Sequence, residues 1–576
     1  MENSSIDTYT KDAETLEKKP MNKVEVNDLD YVKVKLSKVK FALIYTSLVL
    51  SLVMSSLDIT IISTALPRIS SEFHAYESFT WIITAYMLTN TAIQPMFGKF
   101  ADIFGRKFMI VLTLSLFVVS SFICGAAPNI GVLILGRAIQ GIGGGGVSVL
   151  VNIIIADIIP LRKRGLFMGI NGAIFSFSSV VGPLLGGFFT DKITWRWAFY
   201  INVPIGIVCL ILIIFFFKMP KEEGSLSEKI KRIDFAGTFS VIGSLVCLLL
   251  GLNWGGQKYP WSSTIIISLF AVGFFLLVVY IVIECKFARE PITPPELFKY
   301  RNITAPCITS FFNGMAFLTC VNTLPLLYQD GRGLSATNAG LRMTPCSFCI
   351  TISAILSGIL IGKWGHIDKY IKGGSFLMIF STYTMTLIDV NTPYYLELIY
   401  YIFFGLTVGL IFQNCIMVAQ QISPPEYLAI STTLISFFNT IGAVVGVAIH
   451  GALLQNFFPS CYKKHFPQEN PVTVNDIHQV KNGPAIYVEA LRKTYLFTIV
   501  PAAVVVFISA VFIKYYRMTG NKDKAVMDGE EGTEMTKIEN GKDQDITSSQ
   551  KDVNPETEEI TVTVVDDRNS TETLKL

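Results

Sequence analysis

Gly98-Lys99-Phe100-Ala101-Asp102-Ile103-Phe104-Gly105-Arg106-Lys107 joins two apolar segments, each far too long to be a soluble strand. Gly98 and Gly105 permit a tight reversal with backbones in close approach. Asp102 and three cations, Lys99, Arg106 and Lys107, sit where a helix pair would leave a bilayer. The stretch reads as a turn at a membrane face.

The composition on either side agrees with that reading. Of 576 residues, 51% are hydrophobic and only 16% charged, with a mean hydropathy of +0.50. A soluble chain of this length would carry about a quarter charged residues and split into several domains. The expected fold class is an all-α polytopic membrane protein. The net charge of +3 gives no sign of a nucleic-acid partner. Nine of the ten cysteines fall in or at the ends of apolar segments, while Cys461 lies in a polar loop, so no disulfide framework is expected. Cys346 and Cys349 have redox-motif spacing but lie inside a hydrophobic helix without βαβ context, and are read as helix packing.

Apolar stretches of about twenty residues fall at 41-66, 79-98, 108-127, 131-157, 166-190, 197-217, 235-253, 263-284, 303-328, 340-362, 374-390, 395-420, 428-455 and 494-515. These are fourteen expected spans, so both termini share one side. The first apolar run is long enough to span and is read as an anchor that stays. Loops assigned to the cytoplasm carry Lys99, Arg106, Lys107, Arg162, Lys163, Arg164, Lys229, Lys231, Arg232, Lys286, Arg289, Lys363, Lys369 and Lys372, while the opposite short loops carry few cations. That bias places both termini in the cytoplasm. Residues 1-40 and 518-576 are polar, charged and expected to be disordered tails. The loop at about 456-493, with Cys461, His465 and His478, is read as a long solvated outer connector. The sequons at Asn302 and Asn569 fall on the cytoplasmic side, out of reach of glycosylation.

Two charges lie where an apolar run would exclude them. Asp58, in Leu57-Asp58-Ile59-Thr60, costs about 2.5 to 3.5 kcal/mol to insert, so it is a functional candidate. Burial favours its neutral, proton-carrying form and an approaching cation its charged form, which is the competition an exchanger needs. The alternative is a carboxylate capped by Thr60 or Ser55 hydroxyls. Arg137 and Gln140 are three residues apart in Gly136-Arg137-Ala138-Ile139-Gln140-Gly141, so they share a helix face, and Asp58 is the expected partner of Arg137. Gly141-x-Gly143-x-x-Gly146 matches a dinucleotide fingerprint only as a string, because it follows no strand. Asp157, near the end of the same helix, is within expected reach of Arg106, giving a candidate relay of Asp102, Arg106 and Asp157 that latches one conformation. Gly182-Pro183-Leu184-Leu185-Gly186-Gly187 combines a helix-kinking proline with glycines for close packing. Trp195-Arg196-Trp197-Ala198-Phe199-Tyr200-Ile201-Asn202 is read as a structural, interfacial cluster. Gly358 to Gly365 echoes the opening turn without the equivalent of Asp102.

The turn at Gly98 to Lys107 resembles the signature loop between the second and third helices of the major facilitator superfamily, with Phe100 a mild departure. Leu57 to Pro67, Arg137-x-x-Gln140-Gly141, the segment 81-95 and Trp195 to Pro204 resemble its fourteen-helix drug:proton antiporter branch. Gly182-Pro183-x-x-Gly186-Gly187 resembles the motif of antiporters. The resemblance covers roughly residues 40 to 517. It implies two six-helix bundles, at 41-218 and 303-517, with two inserted helices in a linker at 219-302, and alternating access by rocking of the bundles. It further implies proton coupling at Asp58, Arg137 and Gln140 and gating by Gly98, Asp102, Gly105, Arg106, Lys107 and Asp157.

The expected function is proton-driven export of small organic solutes or drugs by a monomer in the plasma or vacuolar membrane, with the proton as coupling ion and no cofactor or metal. A vacuolar basic amino acid or siderophore transporter of the same fold is the first alternative. A solute receptor that does not transport is the second, disfavoured by intact motifs. An enzyme is not expected, since no nucleophile, base and oxyanion set appears.

Overall fold

A computed structural model describes residues 37-73, 80-219, 224-256, 258-468, 472, 474, 477 and 480-513. Residues 1-36 of the tail expected at 1-40, the tail expected at 518-576, and His478 lie outside the described residues, while Lys38 to Lys40 already belong to the first helix, capped by Ser37, and not to a tail. Within them the chain is helical, apart from one isolated β-bridge between Gly255 and Tyr259.

The helices run α1 (Lys38–Glu72), α2 (Thr80–Phe104), α3 (Arg106–Gly125), α4 (Ile130–Ile158), α5 (Leu161–Lys192), a single turn α6 (Trp197–Tyr200) and α7 (Asn202–Phe216). There follow the short α8 (Leu226–Lys231), α9 (Phe235–Trp254) and α10 (Thr264–Lys286). The remainder are α11 (Arg301–Leu326), α12 (Ala336–Trp364), α13 (Ile367–Met385), α14 (Tyr394–Ile422), α15 (Leu428–His465), α16 (Gly483–Leu496) and α17 (Ile499–Phe512). Side chains cap several starts. Asn129 accepts from Val132 N at 2.9 Å and Asp234 from Gly237 N at 2.8 Å, satisfying amides the helix leaves free. Between α2 and α3 the reversal is made at Gly105, whose φ of 89° other residues adopt at a cost.

Among the described residues, eleven helices are long and apolar enough to cross a membrane. This is fewer than the fourteen expected spans. The three that fall outside that group are α2, α5 and α13. Polar residues on α2 and α13 face protein neighbours: Thr91 and Gln94 are buried on α2, and Ser375, Ser381, Thr382 and Thr384 on α13. By contrast α10 turns Phe274, Phe275, Val278 and Ile281 outward, an apolar face suited to lipid.

α1 packs on α5 and α7, and α4 on both α2 and α3. In the second half α11 packs on α15 and α17, and α14 on α12 and α13. α9 and α10 pair with each other, and α9 lies against α2. The two halves meet along α5 and α12 and along α2 and α15. At the cation-rich end this contact is backbone on backbone: a Cβ on Gly358 would stand 2.2 Å from the carbonyl carbon of Gly165. The glycine echo at 358 therefore serves a helix crossing. Gln413 of α14 adds a bond to the Met168 carbonyl of α5 at 2.6 Å.

The connector expected at 456-493 is shorter than its sequence suggests. α15 continues through His465 and α16 begins at Gly483, so helix covers both ends. Cys461 is buried on α15 rather than looped out, and its sulfur accepts from Lys493 at 3.0 Å. All ten cysteines are free thiols. Cys346 and Cys349 pack against Gly405 of α14.

Candidate functional site

Asp58 lies on α1 beside α4 and the start of α7, and only 1% of it is exposed. Arg137 of α4 pairs with its Oδ2 through Nη1. Gln140 donates to Asp58 Oδ1 at 2.8 Å, and Asn202 donates to the same oxygen at 3.1 Å. Arg137 also donates to Gln140 Oε1 at 2.8 Å and to the Ile82 carbonyl of α2 at 3.0 Å. Its guanidinium stands 4.2 Å from the Tyr86 ring centroid and 5.9 Å from that of Phe199. Gln140 donates to Ser121 of α3 at 2.7 Å. One carboxylate thus gathers donors from α4 and α7, and its partners reach α2 and α3.

A buried ion pair is maintained only when its remaining donors and acceptors are met. Here they are, and the three-residue spacing of Arg137 and Gln140 is what lets one helix present both. The hydroxyls considered as caps are occupied elsewhere: Thr60 donates to the Ser178 carbonyl of α5 at 2.9 Å and Ser55 to the Gly144 carbonyl at 3.5 Å. Sequence reasoning missed Asn202, Ser121, Tyr86 and Phe199. Asn202 and Phe199 belong to the aromatic string read as structural, and the fold brings both to the Asp58–Arg137 pair. An asparagine opening a helix looks like a cap, and only the fold turns its amide toward α1.

At the cation-rich end Arg106 is the centre of a second cluster. It pairs with Asp102 at 2.6 Å and with Asp157 at 3.0 Å, and donates to the Ala101 carbonyl at 3.0 Å. Arg106 and Asp157 are each 5% exposed. Lys107 instead donates to the Ile214 carbonyl at the end of α7, at 2.7 Å. Gly98 faces α15, where an added Cβ would come within 2.8 Å of Thr433 Oγ1.

Gly182 and Gly186 are buried on α5, and Pro183 lies within that continuous helix. A Cβ at Gly182 would collide with Thr60 Oγ1 on α1, while one at Gly187 would meet nothing within 4 Å. Gly182 therefore sets how closely α5 approaches the helix that carries Asp58. Among the described residues no cluster of three metal-ligating side chains occurs.

Comparison with known proteins bears on the chain as a whole. The family model described as Major Facilitator Superfamily matches residues 48–447. The efflux pump dotC of Dothistroma septosporum is 36% identical over 415 residues, covering 72% of each chain. The MFS-type efflux pump MFS1 of Trichophyton rubrum is 35% identical over 496 residues, covering 84% of this chain and 92% of its own. The multidrug transporter protein MdtP of Bacillus subtilis is 35% identical over 417 residues, covering 72% of this chain and 75% of its own. Among solved structures, the human organic anion transporter MFSD10 superposes with a TM-score of 0.55 at 13% identity, covering 80% of this chain and 99% of its own.

Proposed function

This chain belongs to the major facilitator superfamily and is a membrane transporter rather than an enzyme, and on that premise we propose that it exports small organic solutes from the cytosol in exchange for protons. The observation that carries the proposal is the sealed carboxylate of Asp58, held by Arg137, Gln140 and Asn202. A proton arriving at Asp58 removes the charge that Arg137 neutralises, and the arginine is then free to re-pair. Loss of the proton restores the pair. Each form suits one orientation of the two halves, so the proton gradient biases the cycle. A potential of 100 mV adds about 2.3 kcal/mol per charge moved.

The cation-rich end faces the cytosol in this reading, and both termini lie there. The contacts of Gly165 with Gly358 and of Gly98 with Thr433 close that end, and Arg106 with Asp102 and Asp157 latches it. Opening to the cytosol breaks the latch. The chain crosses the bilayer fourteen times: the shortest of the three less apolar helices, α13, has 19 residues and is about 28 Å long, close to the ~30 Å hydrocarbon core. Transported solutes are drug-like organic compounds, in keeping with the efflux pumps to which the chain is similar.

The test is solute uptake into sealed inside-out vesicles with an acid interior, using a fluorescent lipophilic cation and labelled lysine in parallel, for wild type and Asp58→Asn. Accumulation of the cation that depends on the gradient and is lost in Asp58→Asn is the expected result. Transport unchanged in Asp58→Asn overturns the coupling. Lysine accumulation with the cation ignored would keep the mechanism and assign the chain to vacuolar amino acid transport.

A further inference from the structure

The last turns of α2, just before the reversal at Gly105, are held from a side that the latch does not use. Lys99 Nζ lies 2.8 Å from Glu290 Oε2, and the same carboxylate takes Arg232 in a fork, at 2.7 Å from Nε and 3.1 Å from Nη2. Glu290 stands in the segment after α10, and Arg232 closes α8, so both belong to the linker region around the inserted helices. The segment is firmly placed. Glu284 accepts from the backbone amides of Ile292 and Thr293, each at 3.1 Å, and Tyr280 donates to Thr293 Oγ1 at 2.8 Å. Ile292 is buried in an apolar cluster with Ala92 and Met96 of α2 and Val241 and Leu245 of α9.

Phe437 and Ile441 of α15 pack on that cluster as well. The inserted helices therefore touch both α2 and α15, the two helices whose crossing closes the cation-rich end. Adjacent residues near the end of α2 are gripped from two directions: Gly98 by Ile430 and Thr433 of α15, and Lys99 by Glu290. If α2 and α15 part on opening, Lys99 must either leave Glu290 or carry the linker with it.

We propose that Glu290 is a positioning residue, acting through Lys99, that ties the inserted helix pair to the gating end of α2 and favours the state closed at the cation-rich end. This rests on the alternating-access reading above. The inserted pair thereby has a defined task, to bias the gate.

The experiment uses the full chain in inside-out vesicles. Ala429→Cys places a thiol beside Gly98, under the closed crossing, and its modification by a membrane-impermeant maleimide is followed by mass spectrometry of the peptide that contains it. Glu290→Gln and Lys99→Gln are each expected to raise the modification rate about two- to five-fold, the size suited to a partly exposed ion pair. The double variant is expected to match either single one, and Lys99→Arg to keep the wild-type rate. Equal rates in wild type and Glu290→Gln, or effects of the two single changes that multiply, overturn the proposal. A purely structural role would lower the melting temperature of Glu290→Gln without changing the modification rate, and that outcome also counts against it. The readout needs no transported solute and no coupled proton, so its failure is separable from failure of the Asp58 test.

Discussion

Asn202 donates its side-chain amide to the carboxylate of Asp58 at 3.1 Å, joining the first residue of α7 to the middle of α1. The contact spans 144 positions of sequence. It makes α7 part of the charged site and gives Asp58 Oδ1 two amide donors, Gln140 and Asn202.

Replacing Asn202 by Ala leaves Asp58 Oδ1 with Gln140 alone. A hydrogen bond to a charged group is worth about 1.5 to 3 kcal/mol, so gradient-driven solute uptake is expected to fall about ten-fold or more. Initial uptake rates in the vesicles used for Asp58→Asn check this. Wild-type rates in Asn202→Ala would show that the amide is not needed for coupling.

Arg137 is expected to be more costly to remove than the pair it belongs to. Arg137→Leu strands Asp58 in a sealed site, and breaking a buried pair costs about 3 to 5 kcal/mol. Combining it with Asp58→Asn removes the stranded charge. The double variant is therefore expected to melt at a higher temperature than Arg137→Leu alone. The order of the two melting temperatures in detergent decides the point.

The latch predicts coupling between Arg106 and Asp157, whose atoms lie 3.0 Å apart with both side chains buried. In a double-mutant cycle of Arg106→Gln and Asp157→Asn, an interaction energy of about 0.5 to 3 kcal/mol is expected. The quantity to follow is the equilibrium between the two access states, read by maleimide modification from the cation-rich side. Effects that simply add would leave these charges a topological role only.

The tie at Glu290 is expected to persist across the physiological pH range. Partial burial works against its charged form, but the Arg232 and Lys99 hydrogen bonds outweigh this and hold its carboxyl below the usual carboxylate range. With the folded value depressed, its contribution is present above the ordinary value of about 4.3 and lost only as pH falls through the lower folded value. The difference in maleimide modification between wild type and Glu290→Gln should thus be constant between about pH 5.5 and 8. A midpoint inside that window would contradict the assignment.

The sequence by itself determined the class of the molecule and the identity of its central charges. Apolar runs of membrane length can satisfy their backbone groups only as helices, so the helical class followed from composition. Asp58 and Arg137 stood out because a charge inside such a run is expensive, and that cost is local to the residue. The glycine at 105 was legible because a reversal between two helices needs a backbone that tolerates positive φ.

What the tertiary structure decided lies between segments. Hydropathy marked 79-98 and 374-390 as apolar, but only packing shows that Thr91 and Gln94 of α2 and Ser375 and Ser381 of α13 are buried within the protein. Helix continues through Cys461 and His465, although the local composition is that of a loop, because Cys461, Phe458 and Tyr462 are buried against neighbouring helices. Asn202 on Asp58 and Lys99 on Glu290 each depend on where two distant segments come to rest. A hydrogen-bonding side chain has many possible partners along the chain, and only packing selects one.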